Sequence, residues 1–82
     1  FCRKGEAAQF VCDGQIRHGG RLPVNTSGGL LSETGMPGLQ LVIEGVRQMR
    51  GTARLQVAGA RRCIVSNQGG TMHTHSALIL GQ

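Results

Sequence analysis

Residues 37–50, PGLQLVIEGVRQMR, constrain this chain more than any other stretch. Pro37 suits the first turn of a helix. Leu39, Val42, Ile43, Val46 and Met49 recur at helical spacing on one face, and Gln40, Glu44, Arg47 and Gln48 fall largely opposite. Arg47 and Arg50 sit where a helix C-terminus favours positive charge, and Gly51 follows as a stop. The spacing predicts a helix over 37–50. Gly45 lies in its middle, at a cost of about 1 kcal/mol against alanine. A glycine there implies close packing against a neighbour, either a second helix or a sheet.

The flanking segments read as short elements separated by turns. QFVC, residues 9–12, is short and apolar, and Asp13-Gly14 follows as a hairpin turn signal. QIRH, residues 15–18, is the expected return strand, closed by Gly19-Gly20. RLPVN reads as extended, because Pro23 disfavours helix before it. Residues 52–60 read as a connection with room for a short strand. Cys63 to Val65 read as a buried strand and THSALILG as a second one. The glycine-rich NQGGTM between them makes an antiparallel hairpin over residues 61–80.

Composition bounds the rest. Eighty-two residues allow one small domain at most. The chain opens on Phe1 rather than Met, and we read it as a piece of a longer protein. With no Trp or Tyr, the core must come from Leu, Val, Ile, Ala and Met. Fourteen glycines are about twice average usage, clustered at turns rather than periodic. Nine Lys and Arg against four Asp and Glu leave a net charge of +5, which suits a solvated basic surface or an anionic partner. The arginines are scattered, aromatic stacking platforms are absent, and no zinc-finger spacing appears, so nucleic acid is not the expected partner. Three cysteines without a signal peptide fit a reducing, cytoplasmic setting. No apolar run approaches the ~20 residues of a membrane span.

Two glycine pairs flank candidate chemistry. Gly28-Gly29 precedes the helix and Gly69-Gly70 joins the last strands. Such pairs serve as plain turns, or let backbone N–H groups face a ligand or a developing oxyanion. His73 and His75 form an H-x-H pair that would share one face of a strand. They suit a surface role, a base poised over the loop, or two metal ligands. A third ligand would have to come from Cys63, His18 or outside this piece of the chain, and no spacing supports it, so no metal is expected. Cys63 in an apolar strand reads as a packing residue.

In order along the chain, FCRKGEAAQFV, LPVNTSGGLLSETG, EGVRQMRG and CIVSNQGGTMHTHSALILG resemble the C-terminal part of the thiolase superfamily. The resemblance covers nearly the whole chain. It implies an α/β fold, with the amphipathic helix packed on a mixed sheet that ends in the antiparallel hairpin. It also implies that the missing N-terminal half carries the nucleophilic cysteine, and that isolated faces of this piece are normally covered. Members act on acyl-CoA thioesters, so coenzyme A, carried as the acyl-CoA substrate, is the implied cofactor. The implied substrate-facing residues are Asn25, Gly28, Gly29, Gly35, Met36, Gly69 and Gly70. Where the family has its Gly-His-Pro histidine, this chain has Gly35, or Met36 if GMP is matched to that motif. Where ordinary thiolases have a second cysteine, it has Asn67. An amide can orient a carbonyl or a water but is no base. His73, three residues after Gly70, is the nearby general base. A branch that cleaves steroid side chains by retro-aldol chemistry resembles this chain more closely. That branch uses a tyrosine this chain lacks, and works with a small zinc-ribbon/OB-fold subunit. The family also implies a homodimer. Two readings follow: an acyl-CoA acyltransferase or carbon–carbon lyase completed by its N-terminal half, or a catalytically inactive subunit that binds acyl-CoA or scaffolds a partner.

Overall fold

A computed structural model describes residues 1–29, 39–69 and 74–82. Its elements in chain order are α1 (Ala7–Cys12), α2 (Gln40–Arg50), β1 (Arg62–Gly69) and β2 (Thr74–Gly81). The helix expected over 37–50 is present as α2, ended by Gly51 in the left-handed conformation, with Arg47 and Arg50 in its last turn. Pro37 and Gly38 lie outside the described residues.

The strands pair antiparallel, with Cys63 opposite Leu80, Ile64 opposite Ile79 and Val65 opposite Leu78. Directly opposed residues share a face of the ladder. One face turns Cys63, Val65 and Leu80 toward Gly45 of α2. A Cβ on Gly45 would lie 2.9 Å from Leu80 Cδ1, 3.1 Å from Val65 Cγ2 and 3.3 Å from Cys63 Sγ. The neighbour implied by the mid-helix glycine is therefore this sheet. The arrangement is a helix on an antiparallel hairpin, and among the described residues the sheet has these two strands.

The face of α2 that packs shares only Met49 with its apolar stripe. Gly45, Gln48 and Met49 are buried, whereas Leu39 is 72% and Ile43 47% exposed. At 3.6 residues per turn, the packed face is rotated about a third of a turn from the stripe through Leu39, Val42, Ile43 and Val46. The reason is steric. Only glycine lets the strands approach the helix this closely, so Gly45 and not the stripe sets the contact line. The opposite sheet face is also bare, with Ile64 at 64% and Ile79 at 70% exposure. Paired apolar residues left in water on both outer faces mark surfaces suited to further contacts.

The hairpin expected over residues 9–18 is absent. Residues 7–12 form α1, and Asp13-Gly14 ends that helix instead of turning two strands. Gly14, at φ +77°, donates its N–H to Val11 O at 3.0 Å, and Gln15 N–H reaches Phe10 O at 3.3 Å. A left-handed glycine after a helix and a glycine in a hairpin turn have the same local signature. Here Ala7 and Ala8 favour the helix, and Phe10 buries itself against Phe1 with ring centroids 5.2 Å apart. The 22–24 segment instead runs beside residues 15–16, with Leu22 N–H to Gln15 O at 2.9 Å and Val24 N–H to Ile16 O at 3.0 Å.

Candidate functional site

The Asn25–Gly29 segment is a tight turn built on left-handed backbone: φ is +52° at Asn25, +91° at Gly28 and +84° at Gly29. Asparagine and glycine are the residues that tolerate this region. The turn closes when Gly28 donates its N–H to the Asn25 carbonyl at 2.9 Å.

Side chains then tie the turn to α2. The Thr26 hydroxyl donates to Glu44 Oε1 at 2.7 Å. Of the two N–H donors on Gln48 Nε2, one reaches Leu55 O at 2.9 Å and the other is shared by Thr26 Oγ1 and Glu44 Oε1, both at 3.0 Å. Gln48 Oε1 accepts the Val57 N–H at 3.0 Å. Gln56 completes the mesh, donating from Nε2 to Gln48 O at 3.0 Å and accepting the Ala53 N–H at 3.1 Å. Three stretches distant in sequence, 25–29, α2 and 52–57, are thus stapled at one buried glutamine.

Beside this mesh lies a cavity of about 240 Å³. Asn25, Thr26 and Ser27 line one wall, Leu41, Glu44 and Gly45 a second, and Cys63, Val65 and Ser66 a third. The Ser27 hydroxyl oxygen is buried with no hydrogen-bond partner among the described residues. Asn67 lines the adjoining cavity of about 310 Å³ with Leu41, Val42 and Leu78. Its Oδ1 accepts the Gln68 N–H at 3.0 Å, so its amide NH₂ is the end able to donate to a carbonyl.

Of the residues singled out from sequence, Asn25 and Asn67 therefore line two adjoining cavities that share Leu41 and Val65. Gly28 and Gly29 belong to the turn itself, and Gly69 ends β1 opposite Thr74. Gly35, Met36, Gly70 and His73 lie outside the described residues. His75 stands opposite Gln68 on an exposed stretch of β2. Among the described residues, no group of three or more His, Cys, Asp or Glu gathers in metal-binding geometry, and no helix is long and apolar enough to cross a membrane. Thr26, Glu44 and Gln48 escaped sequence reasoning. Polar residues on a helix suggest a solvated face, and only Gly45, one turn from both Leu41 and Gln48, marked that side as the packed one.

Cys63 packs toward Gly45, as expected of a strand cysteine. Burial pushes its thiol above the ordinary value of 9.0, and the nearby Glu44 carboxylate adds to the rise. Folding thus favours the protonated thiol. The sign follows: this contribution to stability is complete below pH 9.0 and is lost as pH climbs through the raised folded value. At pH 8, iodoacetamide should modify exposed Cys12 before Cys63, with the lag abolished in urea. Peptide mass mapping over time checks the order, and equal rates in the folded protein would contradict it.

The whole chain, residues 1–82, matches the family model described as thiolase C-terminal domain-like. The chain belongs to that family. It is 51% identical over 81 residues to the 17-hydroxy-3-oxo-4-pregnene-20-carboxyl-CoA lyase of Mycobacterium tuberculosis, covering 99% of this chain and 20% of that protein. It is 43% identical over 81 residues to the steroid side-chain-cleaving aldolase of Thermomonospora curvata, again 99% of this chain and 20% of the relative. An acetyl-CoA acetyltransferase of Methanothermobacter thermautotrophicus is 38% identical over 86 residues, covering 100% of this chain and 22% of the relative. The chain therefore spans about one fifth of the length of these curated relatives. No solved structure matches.

Proposed function

We propose that this chain is the C-terminal part of a carbon–carbon lyase acting on acyl-CoA thioesters. The observation that carries the reading is the 51% and 43% identity, along 99% of the chain, to a carboxyl-CoA lyase and a side-chain-cleaving aldolase. Acyl transfer is the related chemistry of the acetyltransferase relative. An aldolase-type cleavage starts from a hydroxyl on the carbon β to the thioester carbonyl. A base takes the hydroxyl proton, the Cα–Cβ bond breaks, and its electron pair becomes the thioester enolate. Protonation at Cα then releases a carbonyl product and a shortened acyl-CoA. The step needs no oxidant or second substrate.

The chain's own residues divide this work. Asn67 donates its amide to the thioester carbonyl as negative charge develops there. His73 moves the proton. Gly28 and Gly29 present backbone without Cβ obstruction to the acyl-CoA, and Asn25, Gly35, Met36, Gly69 and Gly70 complete the substrate-facing set. The buried Ser27 hydroxyl beside the Asn25 turn supports a polar group lodging in that cavity. The remaining part of a thiolase-type fold covers the bare faces at Ile64–Ile79 and Leu39–Ile43, in a cytoplasmic homodimer served by a small zinc-ribbon/OB-fold subunit.

The test is turnover by the full-length protein, with 17-hydroxy-3-oxo-4-pregnene-20-carboxyl-CoA and acetoacetyl-CoA plus CoA as probes. Cleavage of the former is expected. His73→Ala should lower kcat by about 10²-fold or more, and Asn67→Ala by about 10²-fold. Binding of both probes by calorimetry without turnover would overturn the lyase reading in favour of an inactive subunit.

A further inference from the structure

We propose that Glu44 and Gln48 are positioning residues that hold the Asn25–Gly29 turn in its working place. The inference rests on the reading that this turn faces the acyl-CoA. Left-handed backbone at Asn25, Gly28 and Gly29 gives the turn its shape, and the Gly28-to-Asn25 bond closes it, but neither locates it against the sheet. Location comes from Thr26. Its hydroxyl donates to Glu44 at 2.7 Å and accepts from Gln48 at 3.0 Å, so both partners dictate where the turn sits and how the hydroxyl points. Gln48 can do this because it is 5% exposed and is itself pinned by Leu55 O and Val57 N–H. A chain of short bonds therefore runs from the 52–57 connection, through α2, to the turn. Adjacent Asn25 and Ser27 line the cavity that Glu44 and Gln48 also border. A displacement of about 1 Å at such a turn can cost about 10²-fold in rate without touching the reacting atoms.

The roles assigned are those of acceptor and donor, not of charge. Glu44→Gln keeps an acceptor oxygen for both Thr26 and Gln48, and Thr26→Ser keeps the hydroxyl. Glu44→Ala and Thr26→Val remove them. In the full-length protein, with 17-hydroxy-3-oxo-4-pregnene-20-carboxyl-CoA as probe, Glu44→Ala and Thr26→Val should lower kcat about 10- to 100-fold with KM within about threefold. Glu44→Gln and Thr26→Ser should stay within about threefold of the parent in both constants. Amide hydrogen exchange should rise across residues 25–29 in Glu44→Ala and Thr26→Val, while β1 and β2 exchange as in the parent. Thr26→Val is close to isosteric and keeps the test open should Glu44→Ala fail to fold. Parent-like exchange at 25–29 in Thr26→Val overturns the proposal, as does a Glu44→Gln variant as impaired as Glu44→Ala. Should the parent itself fail to turn over the probe, the lyase reading falls, and the exchange measurement alone decides the positioning role.

Discussion

Gln48→Leu should lower the unfolding free energy of the intact protein by about 3 kcal/mol, one of the two largest losses expected from a single change here. Leucine matches glutamine in size, so packing volume is nearly kept and the loss isolates polar bonding. The substitution strands the Val57 N–H and the Leu55 carbonyl, both bonded to Gln48 at 2.9 to 3.0 Å. It also removes the donor to Thr26 and Glu44. Each buried group left unpaired costs about 1–3 kcal/mol, and a network loses more than its separate bonds suggest. Gln48→Glu should be no milder at neutral pH. It keeps the acceptor for Val57 but loses the donors and sets a second carboxylate beside Glu44. Urea denaturation followed by circular dichroism measures both. A change below about 0.5 kcal/mol, the range of ordinary surface substitutions, would show that the mesh is replaced by water at no cost.

Gly45→Val should be similarly damaging, by about 3 kcal/mol. Its added methyls enter a space where a single Cβ already lies 2.9 Å from Leu80 and 3.1 Å from Val65. Val65 is β-branched and stiff at χ1, so it yields poorly. Gly45→Ala separates the two forces at this position. Helix propensity favours alanine by about 1 kcal/mol, and moving the Leu80 terminus aside costs about as much. The alanine variant should therefore lie within about 1 kcal/mol of the parent while the valine variant does not. Equal, small effects for both would mean that the hairpin is free to lift away from α2.

The two substitutions test what sequence pattern made visible and what it hid. The helix, its stop at Gly51, the antiparallel hairpin and the close contact implied by Gly45 were all legible. So was the family, from four motifs in order. The first helix was misread because Asp13-Gly14 carries the same signal whether it turns a hairpin or ends a helix. The helix preference of Ala7 and Ala8 and the burial of Phe10 against Phe1 separate the two. At the candidate site, the Asn25–Gly29 turn was legible from its glycines, but the threonine that anchors it was not. Thr26 owes its role to partners 18 and 22 residues away.

Local preferences alone determined α2, its stop at Gly51, the final hairpin and that α2 must touch a neighbour closely. They act over a few residues and are written in spacing. Which side of α2 is buried was decided only in three dimensions. The strands approach where the Cβ is missing, not where the side chains are most apolar, and that approach carries Gln48 inward. Once buried, its amide has to be paired, and the pairing joins residues 26, 44, 55 and 57 into one support for the turn.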